Sequence, residues 1–216
     1  MKEILNAQRQ HWQNTFVQNP DMFGTEPSDP AQFAVELFKR ESKTRILELG
    51  GGQGRDTIYF ARRGFHVHML DYSEAAVRTV IDKVQKLELS GSITAQQYDV
   101  RDQLPFDVGT FDACYSHMLY CMAFTTSELE FLSYEVRRVL QSNGLHIYTV
   151  RNTEDAHYRK GVSQGEDMYE INGFIVHFFS REKIEYLAKG FEIISVDEFE
   201  EGDLPRKLFQ VTLRKR

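Results

Sequence analysis

The residues with most chemistry to offer gather around Ile46-Leu47-Glu48-Leu49-Gly50-Gly51-Gly52-Gln53-Gly54. A short apolar run carries one acid and then breaks into four glycines within five positions. Arg55 to Arg63 reads as a helix. A strand that turns through glycines into a helix lets a ligand approach bare backbone amides at the helix N-terminus. The spacing narrows the choice of ligand. The dinucleotide fingerprint G-x-G-x-x-G, counted from Gly50, needs a third glycine at position 55, where the chain has Arg55. Glu48, Gly50, Gly52 and Gly54 instead spell E-x-G-x-G-x-G. No G-K-[ST] occurs, so a Walker A loop is excluded. The other groups that could bind or react are Asp71, Asp99, His117, Arg151 and His177. His66 and His68 lie two apart on one strand face, but a metal would need a third ligand that the sequence does not supply, so no metal site is expected.

The elements that must position these groups alternate along the chain. Ser28-Asp29-Pro30 starts a helix, with Asp29 as cap and Pro30 in the first helical position. Phe33, Ala34, Leu37 and Phe38 recur along it at helical spacing. A first strand, Thr44 to Leu49, runs into the glycines. His66 to Asp71 is a second strand ending in an acid, 17 residues after Gly54. Ser73 caps a helix with Val77, Val80, Ile81, Val84 and Leu87 on one face. Ile93 to Tyr98 is a third strand, followed by Asp99, and Phe111 to Tyr115 a fourth. Ser127-Glu128-Leu129-Glu130 reads as a capping box. Its helix turns Leu129, Leu132, Val136, Val139 and Leu140 inward, and Asn143-Gly144 ends it. Leu145 to Val150 is the fifth strand. Ser180 opens a helix that Gly190 closes. Phe191 to Phe199 and Lys207 to Leu213 are two strands joined by a Gly202/Pro205 turn. Repeated strand–helix alternation implies a parallel sheet with helices on both faces, and the final hairpin adds an antiparallel strand.

In such a sheet ligands bind at the carboxyl ends of the strands. Those ends carry the glycines, then Asp71, then Tyr98-Asp99-Val100 ahead of Leu104-Pro105-Phe106, while Phe111-Asp112-Ala113 opens the fourth strand. A carboxylate at Asp71 can accept both hydroxyls of a ribose. The set resembles the class I S-adenosylmethionine (SAM)-dependent methyltransferases over Glu48 to Val150, and more loosely over the final hairpin. The resemblance implies a Rossmann-like α/β fold with a seven-stranded, mostly parallel sheet and a C-terminal antiparallel hairpin. It implies that Gly50, Gly52 and Gly54, with Glu48, line the methionine part of SAM. Asp71 would hold the ribose, Tyr72 would lie beside the adenine, and Asp99 and the Val100 amide would take the adenine edge. Ser116 would face the methionyl end. Tyr148 to Asn152 and Gly173 to Phe179 are similar to the tellurite-resistance-like branch of these enzymes.

The expected organisation is one domain over 1–216: an N-terminal helical cap (1–43), a cofactor-binding core (44–150), a substrate lid (151–179) and a C-terminal helix and hairpin (180–216). The lid holds Arg151, His157, Tyr158, Arg159, Lys160 and His177, and its cations favour an anionic acceptor. His117, Arg151 and His177 are the candidate acceptor contacts. The stretch from His11-Trp12 to Phe23-Gly24 is a second cover, able to shield the site from water.

A net charge of −6 over 216 residues argues against a nucleic-acid partner. Tyr115-Ser116-His117-Met118 also differs from the [ND]-P-P-[YF] of adenine- and cytosine-directed enzymes. No apolar run reaches membrane-span length, the start lacks a signal-peptide core, and two cysteines, Cys114 and Cys121, make no disulfide framework. These features point to the cytoplasm. The expectation is methyl transfer to a small molecule. Two alternatives stand beside it: an NAD(P)-dependent oxidoreductase, and a SAM-binding protein without catalysis. The acceptor atom and the oligomeric state are not legible.

Overall fold

The structure, a computed structural model, describes residues 2–202 and 206–216. Pro205, expected in the hairpin turn, lies outside the described residues.

Apolar strand segments pair into one central sheet whose inner strands bury both faces, while the edge strands stay partly in solvent. β1 (Arg45–Leu49), β2 (His66–Asp71), β3 (Ile93–Gln97), β4 (Phe111–His117) and β5 (Leu140–Arg151) run parallel. β9 (Phe191–Glu201) and β10 (Arg206–Lys215) complete it, with β10 antiparallel to both β5 and β9. The order is β3-β2-β1-β4-β5-β10-β9, the seven-stranded sheet that the motif order predicts. It reverses direction between β1 and β4, which makes the ends of those strands the switch point where an open α/β sheet takes its ligand.

Alternate residues feed two cores. Ile46, Met69, Tyr115 and Ile147 pack beneath α2 (Asp29–Arg40), α3 (Arg55–Arg62) and α4 (Glu74–Lys86). Leu47, Leu70, Cys114 and Tyr148 pack beneath α5 (Thr126–Val139) and α6 (Arg181–Leu187).

Several local expectations shift. Ser28, not Asp29, is the N-cap of α2, its hydroxyl accepting from the Ala31 N–H. The capping box of α5 is Thr125 with Glu128, two residues ahead of Ser127 and Glu130. The helix stops at Val139, and Leu140 already belongs to β5. Asn143 then takes a positive φ of 60° inside a strand irregularity instead of ending a helix. Ile81 and Leu87 stand partly in solvent, so the buried face of α4 is narrower than its apolar pattern. No helix links β3 to β4; residues 98–110 cross as a loop.

The segment between β5 and α6 is not a loose loop. It folds into a second antiparallel sheet of β6 (Val162–Gly165), β7 (Met168–Ile171) and β8 (Phe174–His177). α1 (Lys2–Gln18) precedes the core and lies against β8 and α4.

Candidate functional site

β1 delivers the chain into the glycine turn. The Gly50 N–H donates to the Leu70 carbonyl at 2.7 Å, which ties the turn to the end of β2. Gly54 caps α3 at φ +85°, and a Cβ there would fall 2.8 Å from Val80 Cγ2. Both the backbone angle and the packing therefore demand glycine. Asp71 closes the floor. Its two oxygens accept from the Gly52 and Ser73 N–H groups, each at 2.9 Å. Burial pushes its carboxyl up to about 6 in spite of these bonds. Glu48 is more extreme. It is 3 % exposed, its Oε2 has no hydrogen-bond partner among the described residues, and burial pushes it up to about 8.

These groups wall a cavity of about 700 Å³, a size suited to a cofactor-sized ligand. It brings together Glu48, Gly50, Gly52, Asp71, Tyr72, Asp99, Val100, His117 and Arg151. Tyr72 reaches back to α1, its hydroxyl donating to the Gln8 carbonyl at 3.4 Å. Asp99 is clamped by Arg101, with Nη2 to Oδ2 at 2.7 Å and Nε to Oδ1 at 3.0 Å. Burial acts to raise the Asp99 pKa, but the Arg101 hydrogen bonds outweigh it and hold the carboxyl low.

Three expected site residues stand elsewhere. Gly54 shapes the turn without reaching the cavity. Ser116 is fully buried and its Oγ has no partner among the described residues; the next two residues, His117 and Met118, form the wall instead. His177 is fully buried, its Nδ1 2.8 Å from the Phe124 carbonyl and its Nε2 against Lys183 Nζ. Burial pushes it down to about 4, so it is a neutral core group and not an acceptor contact.

Arg151 reaches the cavity with its charge already matched. Its Nε donates to Asp155 Oδ2 at 3.0 Å and its Nη2 reaches Asp155 Oδ1 and His157 Nδ1. A guanidinium only donates, so His157 accepts on Nδ1 and carries its hydrogen on Nε2. Arg159 and Lys160 are exposed. Of the cations in this segment Arg151 alone lines the cavity, already paired with Asp155, so the charge argument for an anionic acceptor gains no support here. His66 is exposed, and His68 pairs with Gln96 at 3.2 Å and packs on Phe106.

Sequence reasoning missed Thr149, Asp155, Glu201 and Arg206. Glu201 and Arg206 line the cavity from the far ends of β9 and β10. His117 Nε2 lies 3.2 Å from Glu201 Oε1, and His117 Nδ1 2.9 Å from Thr149 Oγ1. No local signal marks Glu201. It is the last residue of a strand read as ending at Phe199, and it meets His117 only through the sheet order.

The roof is built from α1 and the small sheet. Trp12 and Phe174 pack at 4.8 Å between ring centroids, and Phe16 sits over Gly52. Two glutamines fasten it. Gln8 donates to the Gly173 carbonyl at 2.9 Å and accepts from the Ile175 N–H at 3.1 Å. Gln53, within the glycine turn, donates to the Asn19 carbonyl at 2.7 Å and accepts from the Met22 N–H at 3.1 Å.

A sheet of this order, a glycine turn after β1 and acids after β2 and β3 define the class I methyltransferase fold. Solved structures agree. Burkholderia thailandensis 1,6-didemethyltoxoflavin-N1-methyltransferase, crystallised with 1,6-didemethyltoxoflavin and S-adenosylhomocysteine (SAH), is similar at a TM-score of 0.78 and 15% identity, over 99% of this chain and 89% of that one. Magnesium protoporphyrin IX methyltransferase of Synechocystis PCC 6803, with bound SAM, gives 0.73 at 13% identity over 99% and 97%. TehB of Haemophilus influenzae gives 0.69 at 15% identity over 95% and 67%. Among curated proteins no sequence relative matches. Residues 46–144 match the model of a methyltransferase domain family, and the cofactor such a domain uses is SAM. An NAD(P)-dependent oxidoreductase is not favoured. Among the described residues no helix is long and apolar enough to cross a membrane.

Proposed function

We propose that the protein transfers the methyl group of SAM to a small-molecule acceptor. The observation that carries this reading is the convergence of Glu48, Asp71 and Asp99 with Gly50 and Gly52 on one cavity that also reaches His117, Glu201 and His157. The residues fit the cofactor. The buried Glu48 Oε2, without a partner among the described residues, would be matched by a cationic methionyl end, and Asp71 has lone pairs left for ribose hydroxyls after its two backbone bonds. Tyr72, Asp99 and Val100 would flank the adenine. SAM supplies a methyl already activated by a sulfonium.

The chain then has to hold a nucleophile in line and keep water out. Trp12, Phe16 and Phe174 serve the second task. The net charge of −6 favours a small acceptor over nucleic acid, and the toxoflavin and porphyrin methyltransferases named above act on small molecules.

The test is a thermal shift with SAM, SAH and NADH side by side. A ligand at about a hundred times its Kd adds roughly 2.7 kcal/mol of stability. A rise with SAM and SAH but not NADH is expected. A rise with NADH alone overturns the reading.

A further inference from the structure

The sheet order divides the cavity. The ends of β1, β2 and β3 supply the glycines and the acids Asp71 and Asp99; the ends of β4, β5, β10 and β9 supply the opposite wall. On that wall runs one hydrogen-bonded chain. The Met118 N–H donates to Thr149 Oγ1 at 3.0 Å, and the same hydroxyl lies 2.9 Å from His117 Nδ1. His117 in turn directs Nε2 at Glu201 Oε1, 3.2 Å away, and a carboxylate there can only accept. The chain ends on Glu201, which stands in the cavity wall.

Beside the polar groups Arg151, His157 and Arg206, the wall offers an apolar surface of Trp12, Phe16, Met118, Met122, Phe174 and Val176. A carboxylate facing such a surface gains from any ligand that brings it a hydrogen. An anionic group set against Glu201 itself would meet like charge.

We propose, resting on the methyl-transfer reading, that the acceptor is a flat, largely apolar molecule whose nucleophile is a hydroxyl or N–H, and that Glu201 takes its proton, with His117 and Thr149 as positioning residues. The lone pair of the acceptor oxygen or nitrogen forms the bond to the methyl carbon. The methyl–sulfur bond breaks and leaves its electron pair on sulfur. The O–H or N–H proton passes to a Glu201 carboxylate oxygen. A weak base suffices, because the acceptor becomes strongly acidic as the new bond forms. Burial acts to raise the Glu201 pKa, but the hydrogen bond and charge of His117 on β4, with Arg55 on α3 and Arg206 on β10, hold it below the usual carboxylate range.

Trp12 is the only tryptophan of the chain and lies in the wall, so its fluorescence reports occupancy. With SAH at saturation, 2-naphthol and 2-methoxynaphthalene are titrated in parallel; they share a ring system and differ in the donor hydrogen. The wild type is expected to bind 2-naphthol at least about tenfold more tightly, the strength of one charge-assisted hydrogen bond. Glu201→Gln is expected to shrink the preference to about threefold or less while SAH affinity is unchanged. In His117→Phe the acid limb of 2-naphthol binding moves to higher pH, because burial at Glu201 is then opposed by Arg55 and Arg206 alone; a merely structural role would not move that limb. Thr149→Val, nearly isosteric, should shift it the same way. Equal binding of the two naphthalenes by the wild type, no binding of either, or full preference retained in Glu201→Gln overturns the inference. Failure of SAH itself to bind is a different result and strikes the methyl-transfer reading.

Discussion

Glu48→Gln should stabilise the cofactor-free protein at neutral pH, and by more as the pH rises. The folded chain holds the Glu48 proton to about 8, against an ordinary 4.5. Folding therefore binds this proton more tightly than the unfolded chain does. The stability it confers is complete below the unfolded pKa and is lost as the pH climbs through the folded one. Across that window each pH unit costs about 1.4 kcal/mol. Glutamine keeps the shape and cannot ionise. The stability gap between variant and wild type should therefore widen by roughly 3 kcal/mol between about pH 5.5 and 7.5. Asp71, also raised by burial, acts in the same direction but is common to both proteins and drops out of the difference. Urea unfolding of both proteins at several pH values in that range measures the gap. Parallel stability–pH curves would refute the reasoning, since they would mean that the Glu48 carboxyl is solvated or partnered in the folded chain.

Asp71→Ala should weaken SAH binding by about 2 kcal/mol through lost ribose hydrogen bonds, as read by calorimetry; unchanged affinity would withdraw its placement beside the cofactor. Arg151→Met leaves Asp155 buried without its ion partner and should cost about 3 kcal/mol in urea melts while SAH binding survives. Loss of SAH binding without loss of stability would instead make Arg151 part of the cofactor site. Gly54→Ala forces a Cβ onto a left-handed backbone and against Val80, and should cost about 2 kcal/mol. A variant as stable as the wild type would mean the turn can relax.

The half of the site that depends on short-range signals was legible in the sequence. Glycine spacing marks the turn after β1, and Asp71 and Asp99, each readable alone as a cap or loop acid, stand out by recurring with it at successive strand ends. Ser73 was readable as a cap from its own neighbourhood, and its hydroxyl does accept from the Ala76 N–H. The capping box of α5 was misplaced because Ser127 and Thr125 each precede a glutamate by three residues, and only the folded backbone chooses. The small sheet had an unused signal. Asn172-Gly173, both at positive φ, is the two-residue turn that joins β7 to β8. Thr149, His117 and Glu201 were beyond reach as a set, since pairing across the sheet, not sequence proximity, assembles them.

α1 touches both ends of the cavity at once. Gln53 and Phe16 bind it to the glycine turn, while Gln8 and the Trp12–Phe174 contact bind it to the small sheet. On the proposed reading, a ligand that orders the turn also orders α1, and with it the apolar wall that the acceptor meets. The entropy of fixing that helix is then spent by whichever ligand arrives first. Cofactor and acceptor become thermodynamically linked, each raising the affinity of the other by the same factor. Cofactor-first binding is the natural sequence of events, because the glycine turn lies beneath the helix and the acceptor wall hangs from it.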